Sequence, residues 1–255
     1  MLIQKIQKIS ITIFSLFLLS FMATGTASAN TNMKTIDYVA LGDSLAAGQN
    51  PYGTEHGYSY PNSIKNMLAS SGNPGSYQNF GVSGYTTWDI LNQLNNPKIQ
   101  KFLTNAEIVT LDVGANDILG LPAVQAYLAA PSASTLSTAQ TVVMAELPNI
   151  GYRIGTIISS IKGINPTAKI YVMGYYDAFP SNPELIGLIQ GLNGAILSAA
   201  AATGVTYVNT WGTVTPADLP NASDIHPNHE GYKAISADFC SVIADDFWAA
   251  IATGL

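Results

Sequence analysis

Short apolar segments alternate with helical patterns from about residue 36 to residue 252, and this alternation restricts the possible folds more than any other feature. The third segment is nearly continuous, with Ile108, Val109, Leu111 and Val113, as expected of a strand buried on both faces. The strand-like segments are "TIDYVALG", "YQNFG", "EIVTLDVG", "AKIYVMGYY" and "VTYVN", and the helical patterns cover about residues 60–72, 86–95, 138–163, 184–203 and 230–252. This order predicts an α/β fold with a mostly parallel five-stranded central sheet and helices on both faces.

The N-terminal segment has the features of a secretory signal peptide. Lys5 and Lys8 precede the apolar run "ITIFSLFLLSFMA", and residues 27–29 are the small residues "ASA" that suit a cleavage site. An uncleaved membrane anchor is the alternative, but the run is short for a bilayer span of about 20 residues. We therefore expect residues 1–29 to be removed, residues 30–255 to form a single domain, and the secreted product to keep no stable membrane span.

Charge and cysteine content narrow the possible functions. The net charge of −6 becomes −8 when Lys5 and Lys8 are removed, so a nucleic-acid partner is not expected. Only 10% of the residues are charged, which predicts a surface built largely from uncharged polar side chains. Cys240 is the single cysteine, so no internal disulfide can form, and its place in an apolar helical stripe predicts a buried thiol.

Polar motifs follow four of the five predicted strands. In a parallel sheet the carboxyl ends of the strands meet at one edge, and ligands bind there. The motifs are Gly42-Asp43-Ser44 after the first strand, "NFGVSGYTT" after the second, "GANDI" after the third and "SDIHPNHEGY" beyond the fifth. We therefore expect these four motifs to form one site.

The residues in these motifs suit acyl transfer by a serine nucleophile. Ser44 needs a neighbouring base, and His226 is a better candidate than His56, in a Gly- and Tyr-rich loop, or His229, in the first turn of the closing helix. A tetrahedral intermediate also needs hydrogen-bond donors for its oxyanion. The backbone N–H groups of Ser44 and Gly84 and the side-chain amide of Asn116 are the candidates.

Taken together, these motifs resemble the four sequence blocks of the SGNH (GDSL-type) hydrolases. The matching residues are "GDSL" at 42–45, Gly84 in "NFGVSG", Asn116 in "GAND" and His226 in "IHPN", spread over essentially the whole chain after residue 29. The resemblance implies a three-layer α/β/α sandwich and hydrolysis of carboxylic esters, of lipid or short-chain acyl type, with no metal or other cofactor. It also implies that Ser44 is the nucleophile, His226 the base, and Ser44, Gly84 and Asn116 the oxyanion hole.

The position of the acidic residue departs from the family pattern. The family places an aspartate three residues before the histidine, where this chain has Ser223, and the carboxylate is one residue closer, at Asp224. In an extended segment, a shift of one residue turns a side chain to the opposite side. Either the loop bends and Asp224 completes a triad, or a backbone carbonyl or Ser223 holds His226 in a Ser-His dyad. The spacing slightly favours the dyad.

Other polar residues near the motifs are expected to hold loops. Asp43, Asn79 and Asp117 adjoin the candidate site residues and are predicted to hydrogen-bond the backbone of these turns. The apolar segment 118–137 suits either an acyl-binding wall or mobile lid, or a short helix that completes the core.

Three functions fit the sequence. The first is a secreted esterase or lipase that acts on a small-molecule or lipid acyl ester. The second is a carbohydrate esterase of the acetyl-xylan type, which would use an open aromatic platform. The candidates for that platform are Tyr52, Tyr58, Tyr60, Tyr85 and Trp88. The third is a non-catalytic binding module, although such a module has no chemical need for all four motifs.

Overall fold

The central sheet has five strands, all parallel. A computed structural model describes residues 35–70 and 74–253, so the predicted signal peptide at 1–29 lies outside the described residues. The strands are β1 (Ile36–Gly42), β2 (Pro74–Asn79), β3 (Ile108–Asp112), β4 (Lys169–Met173) and β5 (Thr206–Val208). Their order across the sheet is β2-β1-β3-β4-β5, with every neighbouring pair parallel. The sheet predicted from the sequence is confirmed.

Helices cover both faces of this sheet. They are α1 (Ser44–Ala47), α2 (Tyr60–Ser70), α3 (Thr87–Gln93), α4 (Pro97–Asn105), α5 (Ala115–Leu119), α6 (Pro122–Ala129), α7 (Ala133–Ile164), α8 (Ile186–Thr203) and α9 (His229–Thr253). Helix α2 packs on α9, and α7 packs on α8, α6 and α3. The result is the expected three-layer α/β/α sandwich. The periodicity predicted neither α4 nor the short helices α1 and α5.

The inner strands explain where the core lies. All of β3 is buried, and so are the last five residues of β1. On the side of α2 and α9, the Tyr60 and Phe239 rings stack with centroids 4.6 Å apart.

Cys240 is a free, half-buried thiol against this core, and burial raises its pKa to about 11. The thiol therefore stays protonated at neutral pH and acts as an apolar side chain, as predicted, although it is half-buried where the sequence predicted a buried thiol.

Among residues 35–70 and 74–253, one helical stretch, Pro183–Thr203, is long and apolar enough by composition to cross a membrane. Its inward residues Leu188, Leu192 and Ile196 belong to the hydrophobic core. The apolar character of this helix is therefore used in packing against α7 and the sheet.

The register of β1 and β3 positions the first candidate motif. Gly42 is paired with Asp112, the last residue of β3. Gly42 has a φ of +156°, and a Cβ built on it would lie 2.2 Å from Asp112 Oδ1. Only glycine leaves room for this carboxyl group beside the end of β1, where the chain turns into Ser44.

Candidate active site

Ser44 is the first residue of helix α1, directly after β1. Asp43 caps this helix, and its Oδ1 accepts the N–H of Leu45 at 3.0 Å. The N–H groups of Asp43 and of residues 45–47 all donate hydrogen bonds within the protein. Within residues 35–70 and 74–253, the N–H of Ser44 makes no hydrogen bond. The turn therefore leaves one amide beside the serine hydroxyl without a hydrogen-bond acceptor in the described part of the chain.

His226 connects this serine to a carboxylate. Its Nε2 lies 2.7 Å from Ser44 Oγ, and its Nδ1 lies 2.5 Å from Asp224 Oδ1. An ionised carboxylate only accepts hydrogen bonds, so Nδ1 carries the ring proton and Nε2 accepts the hydroxyl hydrogen of Ser44. Ser44 and His226 are both only 8% exposed. The three side chains form a Ser-His-Asp chain of hydrogen bonds.

The expectation that Asp224 misses the ring is wrong, and with it the preference for a dyad. The chain bends before His226, because Asp224 donates its N–H to Asn221 O and Ser223 donates its N–H to Asn221 Oδ1. Asp224 Oδ1 also accepts the backbone N–H of His226 at 2.8 Å. This turn brings the carboxylate back onto the ring, while Ser223 is exposed.

Two tyrosines after β4 also belong to the site, and sequence analysis missed them. Tyr176 donates its hydroxyl to Ile225 O at 2.7 Å and so holds the histidine loop. Tyr175 donates its hydroxyl to Asp43 Oδ2 at 2.7 Å and so holds the serine turn. The available signal was their place at the carboxyl end of a strand, on the edge where the other motifs lie.

Asn116 lies in the same pocket as Ser44 and His226, whereas Gly84 lies on the adjoining loop. Asn116 Nδ2 donates to Tyr85 O at 2.9 Å, which leaves one amide hydrogen for another acceptor. Gly84, one residue before Tyr85, has a φ of +84° that favours glycine. Gly84 is exposed and does not line the pocket.

The predicted loop-holding roles of Asp117 and Asn79 are confirmed. Asp117 accepts the N–H and the hydroxyl of Thr87 at 2.8 and 2.6 Å, and it pairs with Arg153 at 3.1 Å. Asn79 donates to Ala46 O at 2.7 Å. These contacts fix the turns on both sides of the candidate site.

An apolar pocket, partly open to solvent, adjoins Ser44, Asn116 and His226. Its walls come from α5, α6 and α8 and include Leu119, Val124, Leu128, Leu188, Ile189 and Leu192. Within the segment 118–137, Val124 belongs to the core, as the short-helix alternative predicted, and it also lines this pocket.

The other aromatic and histidine candidates lie elsewhere. Tyr60 is fully buried and bonded to Asp112, so the expectation that it joins an open aromatic platform is wrong. Tyr52 and Trp88 are exposed. The rings of His229 and Tyr58 contact each other outside the pocket, with centroids 4.4 Å apart and planes tilted by 54°. Within the described residues, no group of three or more His, Cys, Asp or Glu side chains is arranged to hold a metal ion.

Comparison with known proteins gives consistent matches. The model of the GDSL-like lipase/acylhydrolase family matches residues 40–234. The spore germination lipase LipC of Bacillus licheniformis is 25% identical over 205 residues, covering 79% of this chain and 93% of that protein. An extracellular lipase from Streptomyces rimosus has a TM-score of 0.65 at 19% identity, over 81% of this chain and 99% of its own. The family 3 carbohydrate esterase of Clostridium thermocellum has a TM-score of 0.58 at 21% identity, and the match covers 85% of this chain and 98% of that esterase.

Proposed function

Because this chain belongs to the GDSL-like lipase/acylhydrolase family and is an ester hydrolase, we propose that it is a secreted esterase or lipase whose nucleophile is Ser44. The hydrogen-bond chain from Ser44 through His226 to Asp224 carries this proposal. It provides a hydroxyl, a base in contact with it, and a carboxylate that orients the base.

The reaction follows from these contacts. Ser44 Oγ attacks the ester carbonyl carbon while its proton passes to His226 Nε2, and Asp224 stabilises the resulting imidazolium. The tetrahedral intermediate then collapses, and the alcohol leaves with the proton from Nε2. Water attacks the acyl-enzyme with His226 again as base, which releases the carboxylic acid and restores Ser44.

The free amides near Ser44 suit the oxyanion of the tetrahedral intermediates. The N–H of Ser44 has no acceptor in the described part of the chain, and Asn116 Nδ2 keeps one hydrogen unused by Tyr85. Gly84 N–H is the third donor in this proposal, presented by a loop joined to the end of β1 through Val82 N–H and Gly42 O at 3.0 Å. Such donors stabilise developing negative charge without rearrangement.

The pocket favours an apolar acyl group. Its walls include aliphatic side chains from two segments, residues 118–128 and 185–192, neither of which contains a charged side chain. Each methylene buried in such a pocket contributes about 0.8 kcal/mol. An acyl chain gains from this surface, whereas an acetyl group leaves most of it unused. The exposed Tyr52 and Trp88 are the observation that favours the alternative, a carbohydrate esterase.

Secretion is part of the proposal. The support is the charged, apolar and small-residue pattern of residues 1–29, and the extracellular lipase among the similar structures. The product is a single domain of residues 30–255 without a retained signal span.

When the full chain is expressed in a secreting host, protein from the medium should have an N-terminus near Asn30. An N-terminus at Met1 in a membrane fraction would contradict cleavage.

The Ser44→Ala variant should lose ester hydrolysis while it keeps the wild-type unfolding transition, because a small side chain fits the turn. The assay uses p-nitrophenyl acetate, butyrate and octanoate together with acetylated xylan. We expect wild-type activity on the acyl esters, highest toward octanoate. Unchanged activity in Ser44→Ala would refute the nucleophile, and activity on acetylated xylan alone would support the carbohydrate esterase.

The Asp224→Asn variant should lower kcat by about 10⁴-fold, because the amide keeps an acceptor for the backbone N–H of His226 but supplies no charge to the imidazolium. Ser223→Ala is the matched control, since Ser223 was the alternative partner of the ring. The kcat of Ser223→Ala should stay within about twofold of the wild-type kcat. A large loss in Ser223→Ala with little loss in Asp224→Asn would reverse the assignment.

The Ile189→Trp variant tests the acyl pocket. Ile189 lines the pocket on α8, so a larger ring should lower kcat/KM for octanoate at least about tenfold and leave acetate little affected. Leu197→Trp, on the exposed side of the same helix, should change neither value. Equal losses for octanoate and acetate would show that the chain does not enter this pocket.

A further inference from the structure

Two carboxyl groups beneath the Ser44 turn are not used in the proposed reaction. Asp43 and Asp112 are at most 1% exposed. No ion pair in the described part of the chain includes either of them. Burying a carboxylate without an ion-pair partner costs free energy, so the hydrogen bonds and the protonation state of Asp43 and Asp112 need an explanation.

Asp112 holds the backbone on both sides of Ser44. Its Oδ2 accepts the N–H of Asp43 at 3.1 Å and the N–H of Ala46 at 3.2 Å. Its Oδ1 is bonded to the hydroxyl of Tyr60 at 2.5 Å. The space for this carboxyl group exists because residue 42 is glycine.

Asp43 extends the same network toward Asn116. Its Oδ1 accepts the N–H of Leu45, and its Oδ2 accepts the hydroxyl of Tyr175. The Tyr175 hydroxyl in turn accepts the N–H of Ala115, the residue before Asn116, at 3.4 Å. Asn193 holds the backbone of Tyr175 with bonds of 2.6 and 2.7 Å.

The two carboxyl groups therefore determine which amide remains free. Between them they accept the N–H groups of Asp43, Leu45 and Ala46, while Ala47 donates to Asp43 O. The N–H of Ser44 is left for the proposed oxyanion. Without the Asp112 carboxyl group, the N–H of Ala46 would lack an acceptor and the N–H of Asp43 would keep only the backbone O of Asp112, so the turn would lose contacts that hold its geometry.

In the described part of the chain, no lysine or arginine is among the groups that act on the pair, and the one cationic influence among them, His226, lowers the pKa of Asp43 less than burial raises it. Burial raises the pKa of Asp112 well above its usual range, and the charge of Asp43 raises it further. Burial also raises the pKa of Asp43. The titratable groups that face the pair are Tyr38, Tyr60, Tyr175, Tyr176, Tyr232 and His226. Burial raises the pKa of each of these tyrosines, so they stay neutral.

We propose that Asp112 is a positioning residue for Ser44, and that Asp43 and Asp112 together hold one proton at neutral pH. The proton removes the repulsion between two buried negative charges, as in other close carboxyl pairs. Both groups can then stay beneath the turn and keep their amide hydrogen bonds. The positioning role rests on the proposed function of Ser44, whereas the shared proton does not.

The shared proton has a measurable effect on stability. Unfolded aspartates lose their protons near pH 4, whereas the folded pair keeps one proton to higher pH. The folded state then binds more protons, so the unfolding constant should rise by up to tenfold per pH unit above pH 4, until the pair ionises. Asp112→Asn removes this contribution. Asp246→Asn is the matched control, because Asp246 also bonds a tyrosine hydroxyl, that of Tyr171, away from the pocket.

The experiment compares the wild type, Asp112→Asn and Asp246→Asn by urea unfolding between pH 5 and 8, and by infrared spectroscopy at pH 7. We expect the ratio of unfolding constants, wild type over Asp112→Asn, to increase with pH. A carboxylic-acid carbonyl band should be present in the wild type and Asp246→Asn and absent from Asp112→Asn. A constant ratio, or no such band in the wild type, would overturn the shared proton.

Kinetics on p-nitrophenyl butyrate test the positioning role. Asp112→Ala should lower kcat by about 10²-fold with little change in KM, because the acyl pocket stays intact while the oxyanion donor is misplaced. Asp112→Asn, which keeps an acceptor for the turn, should recover most of this loss. Equal kcat in Asp112→Ala and wild type, or a loss confined to KM, would overturn the role. If the wild type itself lacks esterase activity, the proposed function fails, and the unfolding and infrared results still decide the proton.

Discussion

The parallel pairing of β1 with β3 is the constraint on which the site depends. It places the end of β1 beside Asp112, with Gly42 leaving room for the carboxyl group, so the chain can turn sharply into Ser44. Because parallel strands end at one edge, the same pairing brings the Asn116 turn close to the serine. The strand β3 that supports this edge is fully buried, and Ile108, Val109 and Leu111 give it an apolar core. The stability of the sheet and the geometry of the proposed nucleophile therefore have the same origin.

Loops outside the sheet carry the other residues of the proposed site, and hydrogen bonds hold these loops in place. His226 lies in a loop after β5, yet its ring meets Ser44 because Tyr176 holds Ile225 and Asn221 bends the chain before Asp224. Asn221 also donates to Pro51 O at 3.2 Å, which joins this loop to the segment after α1. The apolar pocket adds the remaining element, a surface that an acyl chain can cover. The proposed catalytic chain and the proposed acyl site thus meet at Ser44 and His226, which both line the pocket.

The sequence predicted features that depend on local pattern. Apolar periodicity identified the five strands, and the motifs after them identified Ser44, Asn116 and His226, which the structure brings together in one pocket. Asp224 was placed wrongly because its direction depends on a turn made by Asn221, which strand geometry does not describe. Asp112, Tyr175 and Tyr176 were missed because their roles depend on distant partners: Tyr60 lies 52 positions from Asp112 along the chain. The same contact buries Tyr60, which the sequence had suggested for an exposed platform.

The central claim is that Ser44 is activated by His226 and attacks the ester carbonyl. The most direct measurement is to treat the protein with a p-nitrophenyl alkylphosphonate, a serine-directed analogue of the ester, and to locate the adduct by peptide mass spectrometry. The account predicts one adduct, on Ser44, formed in step with the loss of activity and slowed strongly in His226→Ala. An active protein that is inhibited through a different residue, or that stays active after Ser44 is fully modified, would contradict it.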